Sequence, residues 1–239
     1  MRASPDGYVL LLAESGTLIV PAMNPKAAYD PVKQFAAVGG VCALPLALVS
    51  STSFPAANVQ ELIGLLKASP GKYSYASPGV GTLQHLAFEL FMRSAGVTAV
   101  HVPYKGATAM MPDLMSGQVP IGVVSALAGV SQARGGKIRA LAVTSTQRLP
   151  NAPEIPALAE TIAGFEAAPN VFLVAPAGFS SDKLSNAVRA AVTSPDVQES
   201  FSKQGATPMP AQPGELAARI AAETRRWSAV VKDAGIKAE

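Results

Sequence analysis

The residues best suited to chemistry lie in the run Tyr75-Ala76-Ser77-Pro78-Gly79-Val80-Gly81-Thr82. Tyr73–Ser77 reads as a strand, and the apolar positions after Thr82 repeat at helical spacing, so the run joins a strand to a helix. Two glycines let the backbone approach a bound group closely, and Ser77 and Thr82 supply hydroxyls. A helix start also presents N–H groups without intrahelical partners and the positive end of its dipole. Together these features suit a carboxylate or another anion. Ser77, Gly79, Val80, Gly81 and Thr82 are therefore the candidate binding residues. The same two glycines would equally serve a tight turn that holds nothing. There is no Gly-Lys-Ser/Thr ending for a nucleotide phosphate and no third glycine for a dinucleotide.

The other polar positions offer less. His85 lies one turn into the helix, where a general base would need a nucleophile and an orienting carboxylate within reach. Glu89, four residues on, can pair with it on the helix surface, which favours a structural histidine. The alternative is an enzyme that uses the turn as an anion site and His85 as acid/base. His101 alternates with Val100 and Val102 on a strand and points to the opposite face. Two histidines and one distant cysteine give no metal-ligand spacing, so neither metal nor cofactor is expected. Ser15-Gly16-Thr17 follows the first strand and reads either as a second ligand loop, through Ser15 and Thr17, or as a helix cap. Cys42 sits in an apolar run and reads as a small buried hydrophobe. Met110, Met111 and Met115 follow helical spacing with Leu114 and read as core. Arg225-Arg226-Trp227 reads as a solvated helix face with one anchor.

The elements that must position these residues alternate along the chain. Tyr8–Ala13 is a continuous apolar run and predicts a fully buried parallel strand, with a loop or short helix over Ser15–Asn24. Strands are predicted at Ala36–Cys42 and Leu44–Ser50, and a helix after Asn58, with Glu61 in capping-box spacing. After the Gly-rich turn, a helix runs from Thr82 to about Ala95 and stops at Gly96. Strand Ala99–Tyr104, a helix to Ser116, strand Val119–Val124, a helix to Arg134 and strand Ile138–Ser145 follow. Beyond a Pro-rich stretch come strand Val171–Ala175, helices Ser181–Thr193 and Asp196–Gln204, and a last helix from Pro213. That helix shows Leu216, Ile220, Trp227 and Val231 on one side and its charges on the other. Such alternation specifies an α/β fold with mostly parallel sheets. Two sheets are expected: residues 1–49 with 169–239, and residues 50–168 carrying the Gly-rich turn. Two crossings between them make a hinge near Leu48–Ser50 and Pro169–Val171, and a cleft. A buried strand as the first element lacks neighbours, so the first lobe is expected to be incomplete, with its N-terminal part missing.

Composition narrows the function classes. The 239 residues are 49% hydrophobic and 15% charged, enough for one large or two modest cores. The net charge of +3 is scattered, with Arg225-Arg226 the sole adjacent basic pair and no aromatic interleaving, so no nucleic-acid partner is expected. The stretch Met1–Gly7 lacks the apolar segment and cleavage site of a secretory signal. No apolar run approaches the roughly 20 residues needed to span a bilayer.

Several stretches in order carry a resemblance. They are Pro5-Asp6-Gly7-Tyr8, Tyr29-Asp30-Pro31-Val32-Lys33, Tyr75-Ala76-Ser77 with Gly81-Thr82 and His85-Leu86, and His101-Val102-Pro103-Tyr104-Lys105-Gly106. Gly117-Gln118-Val119, Arg139–Ser145 and Trp227 with Val231-Lys232 and Ala234–Lys237 complete the set. Together the chain resembles the Bug-type tripartite tricarboxylate transporter receptors. The resemblance implies a two-lobed, type II periplasmic binding protein without enzymatic activity. It would capture a small carboxylate and pass it to membrane permease subunits, with a sensor protein as a further partner. Family ligands include tricarboxylates, dicarboxylates, acidic amino acids and aromatic carboxylates. In the family the turn corresponding to Ser77–Thr82 holds a ligand carboxylate, and the loop corresponding to Ser15–Thr17 faces it from the other lobe. Many members carry an Asp-Asn pair where Val124 and Ser125 stand here. That departure argues against a cationic ligand group at this spot and leaves Ser125 as a donor.

Overall fold

In the computed structural model, which describes residues 3–24 and 26–237, the chain forms two compact units. Met1 and Arg2, part of the stretch read for a leader, lie outside the described residues. Unit 1 comprises residues 1–44 and 169–239, and unit 2 residues 45–168.

Unit 1 opens with β1 (Leu11–Glu14), α1 (Ser15–Met23), the short α2 (Pro31–Gln34) and β2 (Phe35–Ala43). The chain then builds unit 2 from β3 (Leu46–Ser51), α3 (Val59–Ala68), β4 (Ser74–Ser77) and α4 (Leu83–Ala95). Next come β5 (Val100–Pro103), α5 (Ala107–Ser116), β6 (Ile121–Ser125), α6 (Ala126–Arg134) and β7 (Ile138–Val143). It returns to unit 1 for β8 (Asn170–Pro176), α7 (Asp182–Val192), α8 (Pro195–Lys203), β9 (Thr207–Pro208) and α9 (Pro213–Asp233).

The sheet of unit 1 has the order β1-β8-β2-β9, and every neighbouring pair is antiparallel. Phe172 and Val174 of β8 point to one face, where they pack with Ala13, Leu18, Leu216 and Ile220. The apolar positions of α9 recur every three or four residues, which buries Leu216, Ile220, Trp227, Val230 and Val231 along one stripe. Glu223 lies on that same stripe and is buried, so not all of the helix's charges face away. Gly40 in β2 is needed for close approach, because a Cβ there would collide with the backbone of Met209.

Unit 2 has the order β5-β4-β6-β3-β7. Its core joins Ala47, Val49, Ala76, Met110, Leu114 and Val124. Met110 and Leu114 thus lie in the core, with Met111 and Met115 packed against it. The Pro-rich segment after β7 is pinned by Arg148 to Glu160 at 2.8 Å and by Arg134 to Glu154 at 2.9 Å.

Three expectations need correction. The sheets are not mostly parallel: β4 pairs in parallel with β5 and β6, whereas the other pairs of strands among the described residues are antiparallel. Parallel pairing needs a crossover helix between the two strands, and β3, inserted between β6 and β7, runs against both. Among the described residues the first strand is an edge strand that pairs with β8 alone, and Leu12 is 62% exposed. An unbroken apolar run carries no face information, and of β1 only Ala13 is fully buried. Finally, the chain enters unit 2 at Pro45 rather than after Val49, because β3 pairs with β6 and β7 and not with β8.

Candidate functional site

Strands β5, β4 and β6 lie side by side and parallel, and each is followed by a helix that starts at their carboxyl ends. The amino termini of α5, α4 and α6 therefore gather at one end of the sheet. None of the three carries an acidic residue in its first turn. Three dipoles of one sign, with no acidic residue in any of the first turns, favour an anion at this end of unit 2.

The turn between β4 and α4 is held by its own hydroxyls. Thr82 caps α4: its Oγ1 accepts from the His85 N–H at 3.3 Å and donates to the Gly79 carbonyl at 2.8 Å. Ser77 Oγ accepts from the Gly79 N–H at 3.2 Å and lies 3.1 Å from the Gly79 carbonyl and 2.7 Å from His101 Nε2. The Gly81 N–H donates to His85 Nδ1 at 3.0 Å, with Gly81 in the left-handed region at φ 74°. A second strand braces the turn, since Tyr104 N–H donates to the Ser77 carbonyl and Gly106 N–H to the Pro78 carbonyl.

The donors that remain differ from those the sequence suggested. The hydroxyls of Ser77 and Thr82 and the N–H groups of Gly79 and Gly81 all have protein partners. By contrast, the N–H groups of Val80, Leu83 and Gln84 donate to no acceptor among the described residues. Val80 is thus a backbone donor, in a residue that is 41% exposed. Leu83 and Gln84 were not singled out from sequence, although the first N–H groups of any capped helix are free by geometry.

Beneath the turn lies a column of rings. Phe88 stacks on Tyr75 at 3.8 Å between centroids, Tyr75 on His101 at 4.9 Å, and His101 on His85 at 3.8 Å. Tyr75 donates its hydroxyl to Glu89 Oε1 at 2.6 Å, and His85 Nε2 is 3.6 Å from the same oxygen. Burial would push the Glu89 carboxyl up, but the His85 and Tyr75 contacts outweigh it and hold the group below its ordinary value. His101 is pushed down to about 4, by burial first and then by its closeness to His85. The His85–Glu89 pair is not on the surface as the spacing suggested, because the His85 side chain is only 5% exposed.

The remaining candidates stand apart. Ser125 is exposed and caps α6, accepting from the Ala128 N–H at 3.4 Å, while Val124 before it is buried in the core. Ser15 and Thr17 belong to unit 1, where they open α1 rather than a loop. Ser15 is fully buried, donates to Glu223 Oε2 at 2.7 Å and accepts from the Asn170 N–H at 2.8 Å. The Asn170 side-chain amide also donates to Glu223. Burial pushes the Glu223 carboxyl up, against the lowering effect of these two bonds and of the nearby arginines. Thr17 is half-buried, and its carbonyl accepts the Tyr29 hydroxyl at 2.7 Å. Among the described residues no group of three or more His, Cys, Asp or Glu is placed to hold a metal.

Residues 1–236 match the family described as tripartite tricarboxylate transporter family receptor, TctC. Protein BugT of Bordetella pertussis, strain Tohama I, is 32% identical over 99% of this chain and 74% of its own length. A solved structure of Rpa4515 from R. palustris with adipate aligns with a TM-score of 0.80 at 30% identity, covering 99% of this chain and 81% of that one. MatC from Rhodopseudomonas palustris with bound malate aligns at 0.73 and 28% identity, covering 96% of this chain and 81% of that one. With its α/β units, its mixed sheets and a family match that spans nearly every residue, the chain belongs to the Bug-type tripartite tricarboxylate transporter receptors.

Proposed function

We propose that the chain is an extracytoplasmic, periplasmic solute-binding receptor that captures a small carboxylate for the membrane permease subunits of a tripartite tricarboxylate-type transporter. A sensor protein that reads the ligand-bound form is a further partner of the same kind of receptor. The observation that carries this reading is the trio of free N–H groups at Val80, Leu83 and Gln84, set where three helix amino termini meet without an acidic residue. A carboxylate oxygen accepting from these groups exchanges water for preoriented donors in the field of the dipoles. Ser77, Gly79, Gly81 and Thr82 shape the turn that aims them, and Ser125 lies at the neighbouring helix start. Adipate in Rpa4515 and malate in MatC support a carboxylate as the ligand class.

Against the enzyme alternative, which would use His85 as acid/base, stand the contacts of that ring. His85 Nδ1 is taken by a backbone N–H, Nε2 faces Glu89, and the ring is buried, so neither nitrogen is offered to a substrate. A panel of adipate, malate, citrate, glutamate and benzoate, screened by thermal shift and then calorimetry, tests the receptor reading. Ligand at a hundred times its dissociation constant stabilises the fold by about 2.7 kcal/mol. In a chain of this size that raises the melting temperature by roughly 5–10 °C. A shift confined to one carboxylate class is the expected outcome, and a flat profile across the panel would defeat the reading.

A further inference from the structure

The ring column beneath the turn contains two polar rings where apolar ones would pack as well. Burying an imidazole is unfavourable unless its nitrogens find partners, so the partners found here are informative. They are two parts of the binding turn. His85 Nδ1 takes the Gly81 N–H at 3.0 Å, and His101 Nε2 meets Ser77 Oγ at 2.7 Å.

We propose that His85 and His101 are positioning residues for the carboxylate site: a stacked pair that engages the inward groups of the turn so that Val80, Leu83 and Gln84 alone present free donors. This rests on the reading that the turn holds the ligand carboxylate.

The tautomer of His85 follows from its partners. A nitrogen that accepts an N–H carries a lone pair, so the ring proton of His85 is on Nε2, on the side of Glu89 Oε1. Glu89 also takes the Tyr75 hydroxyl, which fixes the carboxylate in turn. A second proton on His85 would set two donors, Nδ1–H and the Gly81 N–H, against each other. The chain Tyr75–Glu89–His85–Gly81 thus works in one protonation state. His101 lies parallel to His85, within 11° at 3.8 Å, so that two charged rings would repel at contact distance. Three elements are joined in this way: α4 through His85, Glu89 and Phe88, β4 through Tyr75, and β5 through His101.

The test uses the full chain, with adipate and malate as probes. His85→Asn keeps an acceptor at the δ position, whereas His85→Leu fills the space without one. Calorimetry is expected to give the wild-type dissociation constant within about three-fold for H85N, and one weakened about ten-fold or more for H85L. Nitrogen-15 spectra of the free protein should show His85 protonated on Nε2 alone, and the Gly81 amide should exchange faster in H85L than in H85N. Equal affinities and equal Gly81 exchange in the two variants, or a wild-type His85 protonated on Nδ1, would overturn the positioning role. Failure of wild-type protein to bind any carboxylate of the panel, adipate and malate included, would instead overturn the site reading, and with it the proposal, even where the spectra show the His85–Gly81 bond.

Discussion

The junction of β4 with α4 in unit 2 and that of β1 with α1 in unit 1 are built from the same parts. Each turns from a strand into a helix through a glycine, with a serine and a threonine close by. At the first, both hydroxyls close the turn on itself, no acid lies in the first helical turn, and three N–H groups are left free. At the second, Glu14 stands at the cap position of α1, and Ser15 is held by the buried carboxylate of Glu223. Carboxylates at a helix start satisfy the positive dipole end and repel an anionic ligand. Hydroxyls beside a helix start therefore do not identify a ligand site. What distinguishes the two junctions is which groups have already neutralised the helix end.

That contrast can be broken most forcefully at Glu223. Glu223→Ala leaves the Ser15 hydroxyl and the Asn170 amide unpaired in the core of unit 1, at a cost of about 3 kcal/mol. A melting temperature lower by roughly 6–12 °C is expected, with carboxylate affinity in calorimetry unchanged. An unaltered melting curve would remove the locking role assigned to this carboxylate. A finer probe is Leu83→Pro. Proline is accommodated at the first helical position, and Thr82 before it already has an extended backbone at φ −66°, ψ 155°. The variant therefore deletes one free N–H and no helix bond. Affinity for adipate or malate should fall about ten-fold with little change in melting temperature, and an unchanged dissociation constant would show that the start of α4 does not hold the ligand.

Acid separates the two regions by sign. His101 is lowered in the folded state from an ordinary 6.5 to about 4, so the unfolded chain takes up the proton first. Its contribution is present above about 6.5 and is lost as pH falls towards about 4. Glu89, also lowered, loses its contribution in the same direction on further acidification. Glu223 is raised, so its folded form favours the proton, and its contribution is lost as pH rises through its folded value. Melting temperatures measured across this range should show a smaller acid-side loss in His101→Gln and a smaller loss on raising pH in Glu223→Gln. Parallel curves for wild type and both variants would sink this assignment.

Local patterns proved readable where the determining contacts lie close in the chain. Asn58 caps α3 by accepting from the Glu61 N–H, as the spacing suggested, while the Glu61 carboxylate accepts from the Ala57 N–H, one residue before the cap, rather than from that of Asn58. Thr82 and Gly96 bound α4 for the same reason. Glu223 left a signal that went unread, since it falls between Ile220 and Trp227 on the apolar stripe. Its partners could not be found by spacing, because Ser15 lies 208 residues away and Asn170 53.

What the sequence by itself determined is therefore the α/β class, the helix starts and stops, and the placing of a Gly-rich turn at a strand's end. These depend on periodicity and on capping groups within a few residues. Only the tertiary structure decided the strand directions, the edge position of β1, the burial of Ser15 and the pairing of His85 and His101 with the turn. Each of those depends on partners from distant parts of the chain, and a hydrogen-bonding group shows whether it is free or engaged only once its neighbours in space are known.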